Sequence, residues 1–205
     1  MKIAIAQINA TIGDFEGNRE RILSFARKAK EKKARLVVFP ELSLCGYPPM
    51  DLLDHNAFVE ENRKSLRLLQ QELPGEIAVA VGYVDVNHEM AGKPLQNSVA
   101  ILQGGEVVFR QAKTLLPTYD VFDEARYFEP ARSREVVEIG GERLGIAICE
   151  DIWWEQEPAP GTRYPIDPVQ DFLDRGATVI VSPSASPFFS GKLETRFSLL
   201  SRIGK

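Results

Sequence analysis

The first forty residues run as a short apolar stretch, an amphipathic stripe and a second apolar stretch, and this order constrains the fold more than any other feature. Residues 2–8 (KIAIAQI) are rich in isoleucine and few, as in a buried strand. Asn18 can cap a helix reaching about residue 33, with Ile22, Phe25, Ala26 and Ala29 at i, i+3, i+4 and i+7 on one stripe. Residues 35–39 (RLVVF) form a second strand, ended by Pro40. After a loop carrying Tyr47, Pro48 and Pro49, Asn56 can cap another helix with Val59, Leu66, Leu69 and Leu73 near one face. Pro74-Gly75 stops it, and residues 76–84 are a strand.

Two hairpins follow. Residues 98–103 and 106–111 flank Gly104-Gly105, and residues 135–139 and 142–148 flank Gly140-Gly141. A Gly-Gly pair supplies the positive φ angles that tight hairpins need. Asp167-Pro168 reads as an N-cap followed by Pro at the first helical position, opening a helix to about residue 174. Residues 177–181 are a strand and residues 194–203 a helix. The order predicts an α/β domain over residues 1–205, with mixed sheets and each helix laid on one sheet face.

Composition narrows the class. Apolar residues are 44% and charged residues 26%, enough for a sizeable core. Twenty-nine acidic against 25 basic residues give a net charge of −4, which argues against nucleic acid and membrane surfaces as partners. Two cysteines and two histidines exclude a disulfide framework and a cysteine- or histidine-rich metal site. The start, MKIAIAQINA, carries no secretory signal, and no apolar run is long enough to span a bilayer, so a cytoplasmic location is expected.

Three polar residues end apolar strands: Glu41 after RLVVFP, Lys113 after VVFRQA and Cys149 after RLGIAI. In open α/β sheets ligands gather beyond the carboxyl ends of strands, so a carboxylate, an ammonium and a thiol there can share one pocket. Spacing along the chain does not prove that they do. The plain alternatives are a buried apolar cysteine, a surface carboxylate and a solvated lysine. Glu150, Asp151, Trp153 and Trp154 do not continue a core, which favours a nucleophile at Cys149. A strand turning sharply into a short helix exposes its last side chain and aims backbone N–H groups at the same spot. His55 and His88 lie in polar loops, leaving Glu41 and Lys113 as the better activators; a lysine nearby is expected to lower the Cys149 pKa. Tyr119 and Glu124 sit in a long irregular loop, KTLLPTYDVFDEARYFEP. The chain has neither a phosphate-binding loop nor a dinucleotide GxGxxG.

LVVFPELSLCGYPPMDLL, FRQAKTLLPTYDVFDEARYF and LGIAICEDIWW together resemble the glutamate, lysine and cysteine motifs of the carbon–nitrogen hydrolase (nitrilase) superfamily, in the family order. Their wording is most similar to the glutaminase domains of glutamine-dependent NAD synthetases. The resemblance implies an α-β-β-α sandwich and a Glu41–Lys113–Cys149 triad acting on the glutamine side chain. It implies that Glu124 orients the lysine and substrate, that Tyr119 contacts glutamine, and that the Glu150 N–H joins Lys113 at the oxyanion. Ser184 or Ser186 would hold the amino-acid end of the substrate. No cofactor is implied for the amidase step. ATP and Mg²⁺ would serve a synthetase domain, absent from these residues, that converts deamido-NAD to NAD. The sandwich itself is expected to continue past residue 205, and the full-length protein to form a homo-oligomer. A free-standing amidase, nitrilase or carbamoylase, or an inactive fragment, are the alternatives.

Overall fold

A computed structural model describes residues 1–89, 91–155 and 163–204. Strands β1 (Ile3–Ile5), β2 (Leu36–Val38), β3 (Ala78–Val86), β4 (Leu95–Gln103) and β5 (Glu106–Ala112) form one sheet in that order. β1, β2 and β3 are parallel, because α1 (Phe15–Glu31) and α2 (Asn56–Glu72) carry the chain back between them. β3, β4 and β5 are antiparallel neighbours. After the single turn α3 (Glu124–Tyr127), a second sheet contains β6 (Val136–Ile139), β7 (Glu142–Ile146) and β8 (Val179–Val181). The β6–β7 pair is an antiparallel hairpin, and β8 returns parallel to β7 through α4 (Pro168–Asp174). Helix α5 (Lys192–Ile203) follows β8. All four glycines of the two hairpin turns have positive φ, as the sequence requires.

The alternation of side chains along each strand builds the layers. Leu36, Val38, Ala78, Ala80, Val99 and Ile101 of the first sheet pack on Ile139, Leu144, Ile146 and Val181 of the second. On the opposite face of the first sheet, Val37, Phe39, Val79 and Val81 meet Ile22 and Ala26 of α1 and Leu66 and Leu69 of α2. On the outer face of the second sheet, Ile180 meets Val169 and Phe172 of α4 and Leu199 of α5. The result is the expected α-β-β-α sandwich with mixed sheets.

Several expected boundaries move. Asp14, not Asn18, caps α1: its Oδ1 accepts the Gly17 N–H at 3.0 Å. Asn18 is fully buried inside the helix, where its amide bonds both backbone groups of Thr11 and the Leu44 carbonyl. It ties two loops to α1 rather than starting it. His55 occupies the cap position of α2, and Asn56 is its first residue. β1 and β2 have three residues each, shorter than their apolar runs, although the Ala6 N–H still reaches the Val38 carbonyl at 2.9 Å. β7 ends at Ile146, two residues before the expected end. Asp167 caps α4 as expected, accepting the Gln170 N–H at 3.0 Å, with Pro168 at the first helical position.

One glycine fixes how the loop after β2 lies. A Cβ on Gly82 would stand 2.3 Å from Leu42 N and 2.7 Å from Pro40 O. The loop that carries Glu41 therefore rests on the bare backbone of β3, and the Leu44 N–H donates to the Gly82 carbonyl at 3.0 Å. A Gly82→Ala substitution is expected to push this loop off the strand and cost about 1–3 kcal/mol, as overpacking does. Urea unfolding measures it; an unchanged midpoint would contradict so close an approach.

Candidate active site

Three strand ends meet. Beyond β2 the chain turns through Pro40 and Leu42, the latter at φ 46°, and buries Glu41 to 2% exposure. Lys113 follows β5, its N–H donating to the Asn97 carbonyl at 2.8 Å, so the ladder with β4 holds its backbone. Its ammonium is 1% exposed and donates to Glu41 Oε1 at 2.7 Å and to Glu124 Oε1 and Oε2 at 2.8 and 2.9 Å. Asn97 Nδ2 donates to Glu41 Oε1 at 2.8 Å and to Glu124 Oε2 at 3.3 Å. The Tyr47 hydroxyl donates to Glu124 Oε1 at 2.8 Å, and the Ala185 N–H to Glu41 Oε2 at 3.1 Å.

Cys149 opens a four-residue 3-10 turn, Cys149–Ile152, with φ 46°, a left-handed angle rare for a residue with a Cβ. Its N–H donates to the Pro183 carbonyl at 2.9 Å, and its Sγ lies 4.0 Å from the Ala185 carbonyl oxygen. The thiol and the Lys113 ammonium line a pocket of ≈ 250 Å³ together with Tyr119, Glu150, Ser186 and Lys192. Glu150 Oε1 accepts from the hydroxyls of Tyr119 at 2.9 Å and Tyr164 at 2.8 Å. Lys192 Nζ donates to Ser186 Oγ and to the Pro187 carbonyl. Ser184 is held differently, its Oγ accepting from Arg196 at 2.7 Å.

The electrostatics follow from burial. Desolvation alone would lower the Lys113 pKa, but Glu41 and then Glu124 outweigh it and hold the ammonium charged. Burial raises the Glu124 carboxyl against the pull of Lys113. The Cys149 thiol is pushed up, not down: burial dominates, Glu41 adds to it, and Lys113 pulls the other way with less effect. The expected lowering fails because burial of the thiol, with Glu41 adding to it, outweighs the pull of Lys113. Cys149 is therefore a protonated thiol at neutral pH. Cys45, fully buried in the neighbouring core, is pushed up to about 12.

The sequence singles out Glu41, Lys113, Cys149, Tyr119, Glu124, Glu150, Ser184 and Ser186: Lys113, Cys149, Tyr119, Glu150 and Ser186 line this pocket, Glu41 and Glu124 hold the Lys113 ammonium, and Ser184 does not line it. The same reading passes over Asn97, Tyr47 and Lys192. Asn97 left a signal, an amide inside the apolar stretch LQNSVAIL; Lys192 left none. Among the described residues no group of three or more His, Cys, Asp or Glu side chains could hold a metal ion. No helix among them is long and apolar enough to cross a membrane.

Residues 2–160 match the carbon-nitrogen hydrolase family. The glutamine-dependent NAD(+) synthetase of Synechocystis sp. is 40% identical over 206 residues, covering 99% of this chain and 37% of that protein. The glutamine-dependent NAD(+) synthetase of Thermotoga maritima is 38% identical, covering 98% and 33%. The chain thus spans about a third of the length of these relatives. Among solved structures, glutamine-dependent NAD+ synthetase from Acinetobacter baumannii superposes with a TM-score of 0.86 at 31% identity, over 98% of this chain and 35% of that one. A variant amidase from Nesterenkonia sp. AN1, with acrylamide added at its active-site cysteine, superposes with a TM-score of 0.73 at 25% identity, over 94% and 70%. With its fold, its three motifs and this match in agreement, the chain belongs to the carbon-nitrogen hydrolase family.

Proposed function

We propose that this chain hydrolyses the side-chain amide of glutamine through a thioester on Cys149. The observation that carries the reading is that the Lys113 ammonium and the Cys149 thiol line one pocket, with Glu41 bonded to that ammonium at 2.7 Å. Cys149 Sγ attacks the carboxamide carbon, and its proton passes to Glu41 and then to the departing ammonia. Lys113 and the Glu150 N–H stabilise the oxyanion; as a first-turn amide, the latter has no acceptor within its own turn. Glu41 then takes a proton from water, the hydroxide breaks the thioester, and the proton returns to the thiol as glutamate leaves. The balance is glutamine plus water to glutamate plus ammonia. A thiol that burial keeps protonated needs such a base.

The pocket also fits an amino acid better than a plain amide. Glu150 and Lys192 place opposite charges on its wall, as a zwitterionic α-amino and α-carboxylate end requires, and Ser186 and Tyr119 stand beside them. The amide step uses no cofactor. In a protein of its relatives' length, the ammonia would serve an ATP- and Mg²⁺-dependent conversion of deamido-NAD to NAD in a synthetase domain. We place that full-length protein in the cytoplasm, as a homo-oligomer.

Ammonia release from glutamine is the direct test. Cys149→Ala is expected to lower it by at least roughly three orders of magnitude. Short aliphatic amides are expected to be poor substrates; turnover of them at the glutamine rate would instead favour a free-standing amidase.

Lys113→Met carries a second expectation. Loss of the oxyanion partner lowers kcat/KM by roughly 10²–10³-fold. Two buried carboxylates lose their cation, which costs about 3–5 kcal/mol. Without it the Glu124 carboxyl, already raised by burial, rises further above its unfolded value, so the folded state binds a proton that the unfolded state releases. Stability of the variant therefore recovers as pH falls, and urea unfolding should show it weaker at about pH 8 than at about pH 5. A variant no weaker at the higher pH would contradict the buried ion network.

A further inference from the structure

We propose that Asp151 is a positioning residue for this reaction: one carboxylate sets the separation of Lys113 from Cys149 by holding the backbone beside each. The proposal rests on the triad reading above. Asp151 Oδ1 accepts the N–H groups of Thr114 at 3.0 Å and Leu115 at 2.8 Å, the two residues after Lys113. Its Oδ2 accepts the N–H of Ile148 at 2.8 Å, the residue before Cys149. Lys113 leaves the five-stranded sheet after β5, and Cys149 follows β7 of the three-stranded sheet. The carboxylate is a polar strut between the two sheets, placed where the ammonium and the thiol emerge from them.

The chemistry of the strut excludes simpler side chains. Asp151 is 1% exposed, and Thr114, Leu115 and Ile148 are buried too, so water does not replace a lost bond. Donors arrive from both sheets, and only a carboxylate offers an acceptor oxygen to each side. Asparagine would turn its NH₂ towards one of them, and serine or threonine would reach only one. A residue that merely capped the Cys149–Ile152 turn would need the Ile148 bond alone. The two bonds to the Lys113 side do nothing for that turn. The left-handed backbone at Cys149 is the second sign of a held geometry, since such an angle persists only where its surroundings over-determine it. The Ile148 bond to Asp151 and the Cys149 bond to the Pro183 carbonyl fix it on consecutive amides.

The test compares the wild-type chain with Asp151→Asn by glutamine kinetics, by iodoacetamide labelling of Cys149 and Cys45, and by hydrogen exchange at the amides of Thr114, Leu115 and Ile148. In the wild type these amides are expected among the slowest to exchange. In Asp151→Asn the side facing the new NH₂ should exchange faster while Cys45, buried in the core, stays unlabelled. The expected kinetic effect is a fall in kcat of roughly 10–100-fold, the scale of a displacement near 1 Å, with KM within about threefold. A folded variant with wild-type kcat, or one that raises KM alone, overturns the proposal. If the variant does not fold, exposing Cys45, the wild-type amides decide: slow exchange supports the strut and loop-like exchange overturns it. If the wild type releases no ammonia from glutamine, the glutaminase reading fails, and the strut stands or falls on exchange in the two chains.

Discussion

A buried ammonium between two buried carboxylates is costly to assemble, and the site is organised around meeting that cost. Lys113, Glu41 and Glu124 come from the end of β5, the loop after β2 and the start of α3, and each is nearly inaccessible to water. Removing such charges from water costs several kcal/mol per ion, recovered only when geometry is close and the remaining oxygens are satisfied. Both conditions hold. The lysine touches both carboxylates at 2.7–2.9 Å, and Asn97, Tyr47 and the Ala185 N–H take up the rest. With one cation and two anions the cluster keeps a formal negative charge, which Asn97 spreads by donating to both carboxylates. This is the reason an amide interrupts the apolar face of β4.

Burial also sets the state of the proposed nucleophile. With Glu41 adding to it, burial outweighs the pull of Lys113 and leaves the Cys149 thiol protonated. In the proposed mechanism proton removal is then coupled to attack, and donors on both of its oxygens hold Glu41 in place for it. Its position depends on an uncharged contact at its own backbone, since a Cβ on Gly82 would stand 2.8 Å from the Glu41 carbonyl carbon. Backbone packing in β3 and the placement of the Glu41 carboxylate are thus parts of one arrangement.

Much of this was legible in the sequence. Periodicity gave α1, α2 and strands of both sheets, because it records which face of an element is buried; the Gly-Gly pairs gave both hairpins and Asp167-Pro168 the start of α4, while the single turn α3 lies in a stretch read as irregular. The three motifs gave the cluster of Glu41, Lys113 and Cys149, since their residues stand where strands end. What periodicity does not carry is the partner of a polar residue across space. Asn18 looked like a helix cap because asparagine favours that place, yet it bonds Thr11 and Leu44, the latter far along the chain. The Cys149 pKa was misjudged for a related reason: a nearby lysine was visible, but not the depth at which the thiol is buried, and burial is the largest influence on it. Lys192 was passed over because a lone lysine at the start of a helix looks like any solvated lysine.

The two sheets contribute unequally to the chemistry, which gives their packing a functional meaning. In the proposed mechanism the first sheet positions the base and the cation, and the second delivers the nucleophile and its oxyanion amide. Cys149 itself belongs to the apolar layer between them, with Val38, Ala80, Val99 and Ile146. The distance across that layer is therefore also the distance across which the thiol must face Glu41 and Lys113. Apolar packing is non-directional and holds the sheets together without fixing their sliding, whereas hydrogen bonds have preferred angles and short ranges. The Asp151 carboxylate and the Ala185 N–H are directional ties that cross from one sheet's loops to the other's, as are the bonds of Tyr119 to Glu150 and of the Glu135 N–H to Gln111. Burial supplies the adhesion, and these few polar bonds supply the register that a reaction between groups on two sheets requires.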